Sequence, residues 1–234
     1  LKVINKLTTM LTTLWNVINI DKDFYVANVV IRSIADNVAL LFLIYDKDEG
    51  EIRILRHYLF LLDGIRSRLA NIIMPIKNDD VTEDEYQKLI KQQEDFKSML
   101  NDCKKNIIEC ITSLKIYNTN KLGIDMLMKN KKGEELYNWK FKTLNIVPSQ
   151  INTEKNTYNW KSMYSEIKLP EKFFSSFLSD YVHGLSMSNI TIAPDKQNMG
   201  TLVYITKVLM ERIELFVRKY YAIELKYIKK NTKQ

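Results

Sequence analysis

Turn-forming residues are scarce in this 234-residue chain, with six glycines and four prolines. All-β sandwiches and barrels need a turn every dozen residues, many of them built on Gly, Pro or Asn-Gly, so this scarcity argues against them and for long helices. Cysteine is equally sparse. Cys103 and Cys110 are the only two, and seven residues on one helix separate them by about 10.5 Å along its axis. That is beyond disulfide reach. They read as small core residues of a protein from a reducing compartment. Histidine occurs twice, at His57 and His183, with no Cys or His spacing that builds a metal site. There is no Gly-rich phosphate loop and no nucleophile elbow, so neither a metal nor a cofactor is expected.

Hydrophobic residues make up 46% of the chain and charged residues 27%, a globular balance that excludes a disordered chain. Thirty-five Lys and Arg against 28 Asp and Glu leave a net charge of +7. The excess is concentrated at the end. Residues 215–234 carry Arg218, Lys219, Lys226, Lys229, Lys230 and Lys233 against Glu224. Such a basic end is either a solvated terminus or an attractor for nucleic acid. The segment 24–45 is long enough to span a bilayer, but Asn28, Arg32, Ser33, Asp36 and Asn37 interrupt it. It reads as a buried helix of a soluble protein. The first twenty residues carry Lys2, Lys6, Asn16 and Asn19 and lack a small-residue cleavage pattern, so no signal peptide is read and a cytoplasmic location is expected.

Helical periodicity organises most of the chain. Apolar residues at 3, 7, 10 or 11, 14 and 18 mark a first helix, and Asp21 is placed to cap a second running to Tyr45. The run Val38-Ala-Leu-Leu-Phe-Leu-Ile-Tyr45 has no wet face and belongs in the middle of a bundle. Asp46 to Gly50 is a turn. Ile52, Leu55, Leu59, Leu62, Arg66, Leu69 and Ile73 make a third stripe, ended by Met74-Pro75. Thr82 with Glu85 forms a capping box for a fourth helix. Its heptad stripe runs Tyr86, Leu89, Gln93, Phe96, Leu100, Cys103, Ile107, Cys110, Leu114 and Tyr117. A long antiparallel hairpin over about 50–117 follows. Residues 118–156, rich in Asn, Lys and Thr, read as an irregular excursion around a short helix near 134–143. Helix resumes at 158–167, again from Pro170 towards His183, and finally from about 195 to 229. The predicted architecture is all-α, a single-domain bundle of about seven helices over 1–234.

Charges embedded in these stripes are the candidate functional residues. Arg32 and Asp36 share a face of the most apolar helix, as a local ion pair or as an arginine aimed into a pocket. Arg56, His57, Asp63 and Arg66 form a second polar set, in which Arg66 interrupts an apolar stripe and needs a carboxylate, either Asp36 or Asp63. Ser179 and His183 are four apart on either side of Tyr181, and Gly184 stops that helix.

The patches Arg32-Ser-Ile-Ala-Asp36, Arg56-His-Tyr-Leu-Phe-Leu-Leu-Asp-Gly64 and Ser179-x-x-x-His183-Gly184 resemble bacterial HEPN-like helical proteins. The resemblance implies a helical bundle, and many members of that family are ribonucleases of toxin–antitoxin or phage-defence systems. Family nucleases carry an Arg separated from the terminal His by four to six residues. The corresponding positions here are Ser176, Phe177 and Leu178, so the motif is incomplete. Three readings stay open. The chain binds RNA or a partner protein without catalysis, with a homodimer compatible. Alternatively it is a metal-independent ribonuclease with His183 as general acid/base and Arg32 and Asp36 beside it. A third reading is a helical interaction scaffold in which the charged set is structural.

Overall fold

The protein is all-α. The computed structural model describes residues 2–77, 80–174, 178 and 196–224. Its helices are α1 (Lys2–Asn16), α2 (Phe24–Tyr45), α3 (Gly50–Ala70), α4 (Glu83–Ser113), α5 (Lys115–Met128), α6 (Trp160–Glu166) and α7 (Lys196–Tyr220). Among the described residues the only β pairing is two isolated bridges, Lys129 with Glu135 and Phe141 with Thr157. The chain divides into two compact units, one of Leu1–Leu43 with Asn159–Gln234 and one of Ile44–Tyr158.

In the first unit, α1 ends in a π-helical turn, Val17–Asp21, closed by Lys22 at φ 53°. The side chain that caps α2 is therefore Asp23, not Asp21, and it accepts from the Val26 amide at 2.9 Å. The extra residue of the π turn shifts the cap along the chain. Length and composition would let α2 cross a membrane, yet Ile31, Ile34, Ala35, Val38 and Ala39 are buried within the protein. Leu7 and Leu14 of α1, Met163 and Tyr164 of α6, Phe174, and Leu202, Ile205, Leu209 and Phe216 of α7 complete this unit's core. Phe42 meets Phe216 edge to face at 5.7 Å.

The second unit is built on the expected hairpin, with α3 packed against α4. Leu55, Leu59 and Leu62 are fully buried, and the capping box at Thr82 and Glu85 is formed. Three expectations need correction. The hairpin's helices stop short of Pro75 and of Tyr117, at Ala70 and Ser113. Cys103 and Cys110 are exposed rather than buried, because only Leu100 and Ile111 of α4 turn fully inward. The stretch 118–156 begins with a helix, α5, while 134–143 is irregular and Tyr137 sits at φ 49°. The start of α5 is capped from a distance: Glu51 accepts from the amides of Ile116 at 2.7 Å and Lys115 at 3.2 Å.

Beyond α5 the chain buries Tyr137, Trp139, Phe141, Leu144, Ile151 and Tyr158 in a largely irregular stretch, broken only by short 3-10 turns at Pro148–Gln150 and Glu154–Asn156. Buried Asn156 organises it, donating to the carbonyls of Thr143 (3.1 Å) and Ile151 (2.9 Å) and accepting from the Thr143 amide at 3.1 Å. Buried backbone groups that lose a partner cost about 1–3 kcal/mol each. Asn156→Ala is therefore expected to lower unfolding free energy by about 2–3 kcal/mol in a urea titration. An unchanged midpoint would show that water replaces the side chain there.

Candidate functional site

Arg32 and Asp36 lie one turn apart on α2 and form a closed pair. Arg32 Nε donates to Asp36 Oδ1 at 3.0 Å, and the two side chains are 12% and 29% exposed. Two further groups come from outside the helix. Arg32 Nη1 donates to the Phe174 carbonyl, and the Tyr164 hydroxyl donates to the same Asp36 oxygen. The guanidinium also sits 5.4 Å from the centre of the Tyr164 ring. Burial, reinforced by the Asp36 carboxylate, pushes the Tyr164 hydroxyl well above its ordinary pKa. Tyr164 therefore stays protonated and acts as a donor, not as a base or nucleophile. The cluster ties α6 and the chain at residue 174 to the middle of α2.

Arg56 is the most deeply buried charge among the described residues, with no exposed surface. Its Nε donates to Asp48 Oδ2 at 2.8 Å and its Nη2 to the same oxygen. Its Nη1 donates to the carbonyls of Trp139 at 2.7 Å and Phe141 at 2.8 Å. The guanidinium lies 4.1 Å from the centre of the Phe141 ring, a cation–π geometry. Burial lowers the pKa of Arg56, while the Asp48 carboxylate and its hydrogen bond oppose that shift. The adjacent His57 has its Nδ1 3.1 Å from the Tyr45 hydroxyl, and burial lowers its pKa.

Arg66 takes its carboxylate from Asp63, at 2.6 Å, and not from Asp36. It also donates to the Glu135 carbonyl at 3.2 Å, while the other Asp63 oxygen accepts from Trp139 Nε1 at 3.0 Å. The candidate residues thus form separate clusters: Arg32–Asp36 in one unit, and Arg56 and Asp63–Arg66 in the other. Each is completed by groups that the sequence reading missed: Tyr164, Trp139, Tyr45 and backbone carbonyls carry no sequence signal, whereas Asp48 was traceable as an acid in the turn eight residues before Arg56. Ser179, Tyr181, His183, Lys226, Lys229 and Lys230 lie outside the described residues. Arg218 pairs with Glu214 one turn back, and Lys219 lies 5.2 Å from the centre of the Tyr220 ring.

The first unit carries one further feature, an apolar groove of about 820 Å³ between α1 and α7. Leu11, Leu14, Trp15, Ile18, Val203 and Met210 line it, and Trp15 is 60% exposed. Comparison with protein-family models, with curated proteins and with solved structures finds no match to the chain.

Two outcomes follow from this geometry. Removing one partner of a buried ion pair typically costs about 3–5 kcal/mol, because the other charge is left uncompensated. Asp48→Ala is expected to lower stability on that scale, read by thermal or chemical unfolding, and a loss within error would contradict the clamp. For His57, a folded pKa below the ordinary 6.5 means that unfolding takes up a proton in the acidic range. Its contribution to stability is complete above pH 6.5 and drains away as pH falls through the folded-state pKa. His57→Gln should flatten the acid limb of the stability profile, and a parallel profile would exclude His57 as its source.

Proposed function

We propose that the chain is a non-catalytic, HEPN-like helical protein that acts by binding a partner protein. One observation carries this reading: Arg32, Arg56 and Arg66 are each closed by a carboxylate and a backbone carbonyl. An arginine that stabilises a phosphoryl transition state has to present its donors to the substrate. Arg56 is fully buried and Arg32 12% exposed, and their bonds hold the turn at 139–141 to α3 and the chain at residue 174 to α2; Arg66 stays 43% exposed, with its Nε unpaired among the described residues. The ribonuclease alternative would leave His183 without an arginine from these helices. The apolar α1–α7 groove favours protein over nucleic acid, since apolar and aromatic anchors in a desolvated pocket dominate protein interfaces. Its two-helix walls suit an amphipathic helix of the partner.

The test has a nucleic-acid arm and a protein arm. Purified chain should cleave no RNA, and Lys229→Glu with Lys230→Glu should leave capture of the protein partner unchanged. A photo-crosslinking amino acid at position 15 should label one discrete protein, and Met210→Asp should remove that adduct without changing the melting temperature. RNA cleavage that vanishes in a folded His183→Ala variant would overturn the proposal in favour of the ribonuclease. A steep salt dependence with RNA as the sole adduct would overturn it in favour of a nucleic-acid binder.

A further inference from the structure

The stretch from Phe141 to Tyr158 has little regular structure, yet its backbone is held at close intervals. Phe141 bridges to Thr157, and the Lys142 amide donates to the Asn156 carbonyl at 2.7 Å. The Asn156 side chain holds Thr143 at both its amide and its carbonyl. The Tyr158 amide donates to the Lys140 carbonyl at 2.8 Å. A concavity of about 780 Å³ opens on this framework, wholly within the second unit, with Lys142, Thr143, Gln150, Glu154 and Lys155 among its walls.

The charged groups of this concavity make no ion pairs among the described residues. Lys142 is half-buried, with its ammonium 5.5 Å from the centre of the Tyr158 ring. Neither Lys142 nor Lys155 has a carboxylate partner among the described residues, whereas the half-buried Lys104 is paired with Glu135. Taking a cation partly out of water without a counter-ion is costly, and a ring face offsets only part of that loss. Glu154 is exposed and likewise makes no ion pair among the described residues. The Thr143 hydroxyl accepts from the Asn145 amide at 3.1 Å, which leaves its own proton for a second acceptor. Two cations, a hydroxyl donor and one carboxylate thus face a single space.

We propose that the concavity binds a small phosphate monoester carried on a hydroxyl-bearing group, in chemical class a sugar phosphate. Lys142 and Lys155 hold the phosphate as point charges, and the Thr143 hydroxyl donates to one of its oxygens. Glu154 accepts from a ligand hydroxyl, and its repulsion of the phosphate keeps that group at the lysine end. Charge also selects the ester. A phosphate monoester carries about −1.5 to −2 at pH 7 and a diester a single charge, so two ammonium groups against one carboxylate favour the monoester over a nucleic-acid backbone. The size lies within the range of about 300–1,000 Å³ usual for small-molecule sites. Because Asn156 already fixes the wall at Thr143, binding has little backbone to order, and such preorganisation favours affinity. This site is independent of the α1–α7 groove and of the partner reading.

Isothermal titration calorimetry of the full chain tests it, with ribose 5-phosphate, inorganic phosphate, ribose and dimethyl phosphate as probes. Ribose 5-phosphate should bind most tightly and inorganic phosphate more weakly, while ribose and the diester give no saturable heat. Lys142→Met keeps the apolar stem against Tyr158 and removes the charge, and should weaken ribose 5-phosphate about tenfold or more, equivalent to about 1.4 kcal/mol. Lys155→Met, at an exposed position, should do the same and carries the test if the first variant does not fold. Glu154→Gln should narrow the preference for ribose 5-phosphate over inorganic phosphate. Lys97→Met on the exposed side of α4 should bind like the wild type. The proposal is overturned by any of three results: no saturable binding of ribose 5-phosphate at millimolar concentration, affinity indifferent to both lysine variants, or equal binding of the diester.

Discussion

A fully buried guanidinium is the constraint on which the second unit depends. Taking an arginine out of water costs several kcal/mol unless every donor finds an acceptor. Arg56 meets that demand with Asp48 on the turn before α3 and with two carbonyls some eighty residues later in the chain. Both carbonyls accept from the same Nη1, at 2.7 and 2.8 Å, which the turn at residues 139–140 allows by bringing them together. The segment is irregular, with Tyr137 at φ 49°, and Trp139 and Phe141 are buried in the core. Trp139 then reaches Asp63, which in turn holds Arg66. One buried charge thus sets the conformation of a long irregular segment that has almost no ladder hydrogen bonds of its own.

The first unit applies the same chemistry more sparingly. Arg32 lies on a helix whose surroundings are almost entirely apolar, and Asp36 one turn away neutralises it. What the pair adds is orientation. Asp36 accepts from Tyr164, and Arg32 donates to the Phe174 carbonyl. A smooth apolar face of α2 would let α6 slide, whereas a directional hydrogen bond holds it at one position. Polar groups in a core are retained for this kind of specificity as much as for energy. The same bonds engage both arginines within the fold.

The groove between α1 and α7 belongs to the first unit and is apolar and walled by two helices, with Trp15 60% exposed along it.

Sequence periodicity alone determined the helices whose signals are local. The capping box at Thr82, the leucine stripe of α3 and the apolar run of α2 each depend on residues within a turn or two of one another. Scarce glycine and proline likewise settled the all-α class. Tertiary structure decided what depends on distant partners. The cap of α5 is Glu51, 64 residues upstream of Lys115, so no local pattern could announce that helix in a stretch rich in Asn, Lys and Thr. The 134–143 segment lost its expected helix to Arg56, whose affinity for two carbonyls outweighs a weak local propensity. The heptad of α4 was legible as a pattern, but which of its positions would be fully buried was not. Only Leu100 and Ile111 are, because burial depends on where the neighbouring helices pack against it.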